Sequence, residues 1–138
     1  DIKVFGKIHK TPRLGIFVTD REGSFGYSSG KIPSVTWEKC PNIFGIKKCL
    51  ELQYDVTIGG CLAQIYRDGK DYVSWHSDED ARKSDWKKNY VFSVSFGCPR
   101  RFVWREISNK KNKSEVLPKQ ASAKDLRVNL TFREFEHR

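Results

Sequence analysis

His76 and Asp78 are the residues best suited to chemistry in this chain, and they lie in the stretch Cys61–Asp80, CLAQIYRDGKDYVSWHSDED. The stretch reads as a β-hairpin. Cys61–Tyr66 and Tyr72–Asp78 are rich in aromatic and β-branched residues and are joined by a turn carrying Asp68-Gly69. Side chains of a strand alternate faces, so two residues that are two apart project to the same side. An imidazole and a carboxylate side by side are two of the three ligands of a 2-His-1-carboxylate iron site. A His-x-Asp pair also recurs by chance, so its meaning depends on the rest of the chain.

A second polar constellation closes the sequence. In Arg127-Val128-Asn129-Leu130-Thr131-Phe132-Arg133 the apolar residues Val128, Leu130 and Phe132 take one face and the four polar residues take the other. The polar face is either the wet side of an edge strand or the lining of a cavity. In a cavity, guanidinium groups bind carboxylates bidentately, and Asn and Thr add neutral hydrogen bonds. A small dicarboxylate suits such a face, although two Arg six residues apart are roughly 20 Å apart along an extended strand. Both reach one ligand only if the strand curves and the side chains converge.

The elements that must position these residues are mostly strands. Val4–Lys7 reads as a short strand before a Pro12 turn, and Leu14–Thr19 as a second strand. Asp20–Gly30 is turn-rich but carries Phe25 and Tyr27 two apart, either packed on the body or free to stack. Pro41–Tyr54 is the one helix: Pro41 suits its first position, and Ile43, Ile46 and Leu50 recur at spacings of three and four. Residues 81–89 place four basic side chains around Trp86, a solvated loop or a phosphate contact. Tyr90–Gly97 alternates, predicting a core face of Tyr90, Phe92, Val94 and Phe96 and a more polar face of Val91, Ser93 and Ser95. Arg100–Ile107 and Arg127–Phe135 complete the strands. One helix ahead of a run of antiparallel strands predicts an α+β, mainly β, jelly roll rather than a parallel α/β sheet.

At 138 residues the chain is one domain by length, and 38% hydrophobic content can form a core. A net charge of +9 favours a polyanionic partner, nucleic acid before acidic membrane, though it also serves solubility. Cys40, Cys49, Cys61 and Cys98 have no CxxC spacing, which favours buried free thiols over disulfides or zinc. No apolar run approaches the ~20 residues of a spanning helix, and no signal pattern opens the chain. A soluble monomer of the nucleus or cytoplasm, not secreted and with no membrane partner, is the expectation.

Taken together, the segments VFGKIHKTPR (4–13), FGYSSG (25–30), IYRDGKDYVSWHSDED (65–80), SVSFGCPRRFVWR (93–105) and RVNLTFR (127–133) resemble the AlkB family of Fe(II)- and 2-oxoglutarate-dependent nucleic-acid dealkylases. The likeness is to its eukaryotic DNA and RNA repair members. It implies a double-stranded β-helix over 57–138 with a supporting helix, and a nucleic-acid-facing hairpin region over 1–30. His76 and Asp78 match two iron ligands. Tyr66 matches a tyrosine that hydrogen-bonds 2-oxoglutarate, and Gln64 stands where the family usually has Asn. Arg127, Asn129, Thr131 and Arg133 match the cosubstrate-binding strand. Phe25 and Tyr27 match an aromatic hairpin that helps hold a flipped nucleotide. Glu79 and Asp80 match acidic residues at the target base, and Phe5, Gly6 and Lys7 match the nucleic-acid-facing wall. The implied reaction is oxidative removal of N-alkyl groups from DNA or RNA bases, consuming O₂ and 2-oxoglutarate and releasing succinate, CO₂ and aldehyde. A base inside a duplex must be extruded to reach such a site.

One departure stands out. The chain holds only His9, His76 and His137. The family's second ligand histidine precedes the Arg-x-Asn-x-Thr-x-Arg strand, whereas Val116-Leu117-Pro118-Lys119 here reads as though the stretch up to that histidine had been cut away. His9 belongs to the opening and His137 lies past the last strand, so neither fits the third position. The expectation is a segment omitted near 116/117, because a jelly roll losing interior strands would expose unpaired edges. The alternative is a catalytically inactive nucleic-acid-binding module.

Overall fold

The computed structural model describes residues 2–4, 7–9, 11, 13–27, 30–73, 76, 90–103 and 124–134, with the backbone alone at 2–4, 7–9, 25–27 and 30. The expectations on residues 81–89, on 104–107 and at 116/117 lie outside this range. Eight strands are described: β1 (Ile2–Val4), β2 (Lys7–His9), β3 (Leu14–Thr19), β4 (Gly23–Tyr27), β5 (Gly30–Thr36), β6 (Gly60–Tyr66), β7 (Val91–Gly97) and β8 (Arg127–Arg133). A 3₁₀ turn at Trp37–Lys39 leads into the helix α1 (Pro41–Tyr54). β1 and β2 form an antiparallel pair with Val4 opposite Lys7. The other six form one sheet in the order β4-β5-β3-β6-β8-β7.

The sheet is mixed, which departs from the all-antiparallel expectation. β4 and β5 form an antiparallel hairpin, and β5 then lies parallel to β3, pairing Phe17 with Ser34 and Thr19 with Thr36. β5 was not legible in the sequence because it carries Pro33, a residue that demotes a strand reading. Pro33 sits opposite Ser24 of β4, one residue before the pairing with β3 begins, so its missing N–H removes no bond from that ladder.

The chain divides into two compact units, each described by itself. One comprises Gly15–Gln64, Asn89–Val94 and Asn129–Arg138. Its buried apolar residues are Phe17 and Val18 of β3, Trp37, Ile58, Cys61 and Ala63 of β6, and Leu130 and Phe132 of β8. α1 spans the residues its periodicity predicts, with Pro41 in the first turn and Asp55 ending it in the left-handed region at φ 53°. Ile43, Ile46 and Leu50 are half-buried, and no helix residue is fully buried. The helix is tied to the sheet through Glu51. Its carboxylate accepts from Lys47 Nζ at 2.6 Å and from the Ile58 backbone N–H at 3.1 Å, just ahead of β6. Among the described residues, no helix is long and apolar enough to cross a membrane.

The predicted core face of β7 is only half realised. Phe92 and Val94 are half-buried, but Tyr90 and Phe96 are 53% and 50% exposed. β7 is the outermost strand in the described order, and Phe92 packs with Tyr54 (5.0 Å between ring centroids) and Tyr90 (6.2 Å) as an aromatic cluster. Likewise, of the four free thiols only Cys61 is buried, whereas Cys49 is exposed.

The other unit comprises Asp1–Leu14, Ile65–Lys88 and Ser95–Val128. Its described buried side chains include Tyr66, Asp71 and Arg127, one phenol and two charges.

Candidate functional site

In the second unit the chain leaves β6 at Tyr66 and turns at once. Lys70 N–H donates to Asp68 Oδ1 at 2.8 Å and Asp71 N–H to the Asp68 carbonyl at 3.2 Å, so the Asp68-Gly69 turn forms as predicted. The strand predicted after it, Tyr72–Asp78, is described only at Tyr72, Val73 and His76, and its other residues lie outside the described range. Tyr72 is not in a strand, Val73 makes an isolated bridge, and His76 lies outside regular structure.

Arginines bind the backbone carbonyls of the turn and of the residue after it. Arg100 donates to the carbonyls of Asp68 (2.9 Å) and Asp71 (2.7 Å), and Arg13 donates to that of Tyr72 (3.3 Å). Arg67 closes the turn from inside. Its Nε and Nη2 meet the two oxygens of Asp71 at 2.7 and 2.9 Å, its own N–H bonds the same carboxylate at 2.9 Å, and Nη2 also reaches the Thr11 carbonyl at 2.7 Å. Burial alone would raise the Asp71 carboxyl. The Arg67 hydrogen bonds and the charges of Arg67 and Arg100 instead hold it below the ordinary carboxylate range.

Arg100 is aimed by local backbone. Gly97 ends β7 at φ +87°, and a Cβ there would collide with the Leu126 carbonyl. Glycine therefore lets the two segments close, with Cys98 N–H donating to that carbonyl at 3.0 Å. Pro99 offers no N–H, and of the separate strand predicted over Arg100–Ile107 the described residues Arg100 to Phe102 lie outside regular structure while Val103 makes an isolated bridge.

Against this frame lies Arg127, the first residue of β8, with only 8% of its surface exposed. Its Nη2 donates to Ser95 Oγ at 2.8 Å. The guanidinium carbons of Arg127 and Arg100 lie 5.3 and 5.9 Å from the ring centre of Tyr66, which is 1% exposed. Burial pushes the Arg127 guanidinium below its ordinary value. The Tyr66 phenol opposes that shift, and the like charge of Arg100 adds to it. A buried cation beside a second cation, a phenol and a serine hydroxyl has the donor chemistry to take a carboxylate. These residues fit one end of a 2-oxoglutarate.

In the first unit the polar face of β8 continues. Asn129 is 8% exposed, Thr131 and Arg133 are half-buried, and Gln64 of β6 is buried. Ser93 Oγ donates to Asn129 Oδ1 at 3.1 Å, and Asn129 Nδ2 donates to Thr131 Oγ1 at 3.0 Å. Burial of Arg127 and Asn129 favours the cavity reading over the wet edge, although Thr131 and Arg133 are half-buried and Ser93 and Ser95 are exposed. Ser93 and Ser95 went unrecognised in the sequence. Their Ser-x-Ser spacing matches the Arg-x-Asn spacing of β8, and that agreement is a signal only once the two strands are known to be neighbours.

The other predicted site residues are partly described. His76 is half-buried, whereas Asp78, Glu79 and Asp80 lie outside the described residues. Of the predicted ligands His76 alone is among the described residues, and among those residues no three His, Cys, Asp or Glu side chains group as metal ligands. Phe5 and Gly6 lie outside the described range, and Lys7 stands in β2. Phe25 and Tyr27 stand two apart in β4, opposite Ile32 and Gly30.

A family model described as the 2OG-Fe(II) oxygenase superfamily matches residues 17–120. The chain is 33% identical over 110 residues to DNA oxidative demethylase ALKBH2 of Arabidopsis thaliana, covering 76% of this chain and 33% of that protein. It is 28% identical over 104 residues to the Bos taurus protein of the same name, covering 75% and 36%. It is 25% identical over 143 residues to alpha-ketoglutarate-dependent dioxygenase alkB homolog 3 of Rattus norvegicus, covering 80% and 47%. The chain thus spans a third to about half the length of these relatives. The rat alignment runs over 143 positions yet takes in 80% of a 138-residue chain, about 110 residues, so about 33 aligned positions have no counterpart here.

Proposed function

Because the chain belongs to the 2OG-Fe(II) oxygenase superfamily, with relatives of the AlkB type, we propose that it is the 2-oxoglutarate-binding part of an oxidative nucleic-acid dealkylase. The observation that carries this reading is the buried Arg127, held by Ser95 against the Tyr66 ring. Its role is to bind one carboxylate of 2-oxoglutarate, with Tyr66 donating a phenolic hydrogen bond. The resemblance assigns the same cosubstrate to Gln64, Asn129, Thr131 and Arg133, and iron to His76 and Asp78. Bound Fe(II), with O₂ and 2-oxoglutarate, supplies hydroxylation of an N-alkyl carbon, and the alkyl group leaves as aldehyde with succinate and CO₂ as co-products. Burial of Arg127 withdraws its guanidinium from water, which strengthens the hydrogen bonds it gives a carboxylate. The mixed sheet fits part of a jelly roll. We place the roughly 33-position deficit near 116/117, where the third ligand is expected.

The substrate end of the reading rests on the names of the relatives and on the net charge of +9. Phe25, Tyr27, Glu79 and Asp80 are the proposed base contacts, and Phe5, Gly6 and Lys7 the wall facing the strand. The test is release of succinate and formaldehyde from a methylated oligonucleotide with Fe(II) and 2-oxoglutarate. Turnover that falls at least tenfold in Arg127→Met is expected, and no turnover by the wild-type protein overturns the proposal.

A second reading has one specific observation in its favour: neither His9 nor His137 fits the third ligand position. In that reading the domain binds nucleic acid without chemistry. It predicts oligonucleotide binding that is unchanged by chelator and by His76→Ala, together with no succinate release.

A further inference from the structure

We propose that Arg100 is a positioning residue of the cosubstrate site. The proposal rests on the reading of Tyr66 and Arg127 given above. No pattern in the sequence singles Arg100 out, and its neighbour Arg101 has the same chemistry but is exposed. What distinguishes Arg100 is where the backbone sends it. Gly97 and the Cys98–Leu126 hydrogen bond bring the segment after β7 back to the turn that follows β6. There the guanidinium spans two carbonyls, those of Asp68 and Asp71, which bracket the turn directly after Tyr66. A planar fork with two donors fixes both ends of that turn at once, which an ammonium cannot reproduce.

The consequence reaches Arg127 in two ways. First, the turn that anchors Tyr66 is held rigid, so the phenol keeps one orientation. Second, Arg100 and Arg127 approach the same ring, at 5.9 and 5.3 Å, and repel one another. Arg100 already occupies the carbonyls of the turn. Arg127 is thereby biased away from those acceptors and towards Ser95, with its fork presented to a ligand. Arg100 need not touch 2-oxoglutarate to set its affinity.

The experiment compares wild type, Arg100→Met, Arg100→Lys and Arg101→Met in the full chain. It measures 2-oxoglutarate affinity by calorimetry with Mn(II), and thermal unfolding. Losing two charge-assisted hydrogen bonds that orient the site is expected to weaken 2-oxoglutarate binding about tenfold in Arg100→Met. Arg100→Lys is expected to lie between it and wild type, with Arg101→Met unchanged. Addition of Tyr66→Phe to Arg100→Met is expected to cost less than the two single changes combined, since both act on one ring. If Arg100→Met does not fold, the Arg100→Lys comparison decides. Wild-type affinity in folded Arg100 variants overturns the proposal and leaves the Tyr66–Arg127 site standing. A lowered melting temperature with unchanged affinity reduces Arg100 to a structural clamp and overturns it equally. If wild type takes up no 2-oxoglutarate, the proposed function falls and this inference falls with it.

Discussion

At Asp71 a single carboxylate closes the turn that leads from Tyr66 towards His76, and Arg67 supplies three of its hydrogen bonds. Removing its charge in Asp71→Asn leaves those donors on a weaker acceptor and is expected to cost about 2 kcal/mol, measured by urea unfolding near neutral pH. The sign of the pH dependence follows from the depressed carboxyl. The pair contributes its full stability above the ordinary carboxylate value of 3.8 and loses it as pH falls through the lower folded-state value. The gap between wild type and Asp71→Asn should therefore shrink in acid, and a gap that widens would contradict the assignment. Thiols give a second test at this scale. Burial pushes the Cys61 thiol up to about 12, while Cys49 is exposed. In the native protein an alkylating reagent should label Cys49 and spare Cys61 until the chain unfolds, as read by mass spectrometry of the fragments.

The elements differ in how legible they were. β3 and α1 begin and end where their patterns predict, because each carries its own period and, for α1, its own Pro41 start signal. β7 begins one residue late, and its apolar alternation mispredicted its burial, because among the described strands it has a neighbour on one side only. Arginines from distant parts of the chain bind the carbonyls of Asp68, Asp71 and Tyr72, pairings that no local period reports. The junction of β7 with the residues before β8 carries a prediction of its own. Gly97→Ala combines a positive φ with a collision against the Leu126 carbonyl. It should destabilise the protein by about 1–3 kcal/mol and, by displacing Arg100, weaken 2-oxoglutarate binding as well. Loss of stability without loss of affinity would separate the two effects.

For the whole molecule the net charge of +9 has to be divided between inward and outward uses. Arg13, Arg67, Arg100 and Arg127 spend donors on the protein's own carbonyls, carboxylate and serine hydroxyl, so attraction to phosphate falls to the other basic residues. Oligonucleotide affinity should decline steeply as salt is raised, with a log–log slope on the order of −0.9 per phosphate neutralised. An affinity indifferent to salt would remove the electrostatic support for a nucleic-acid substrate. By itself the sequence determined what each segment could contribute: a helix from its 3.6-residue period, strands from alternation, a His-x-Asp pair and a strand of Arg, Asn, Thr and Arg at fixed spacing. Only the tertiary structure decided which of those polar groups are withdrawn from water and which acceptors the guanidiniums meet. Arg100 finds its carbonyls 29 and 32 residues away, and Arg127 its serine 32 away. Partners at that separation are chosen by how strands and turns pack, because hydrogen-bond geometry is satisfied in space and has no period along the chain.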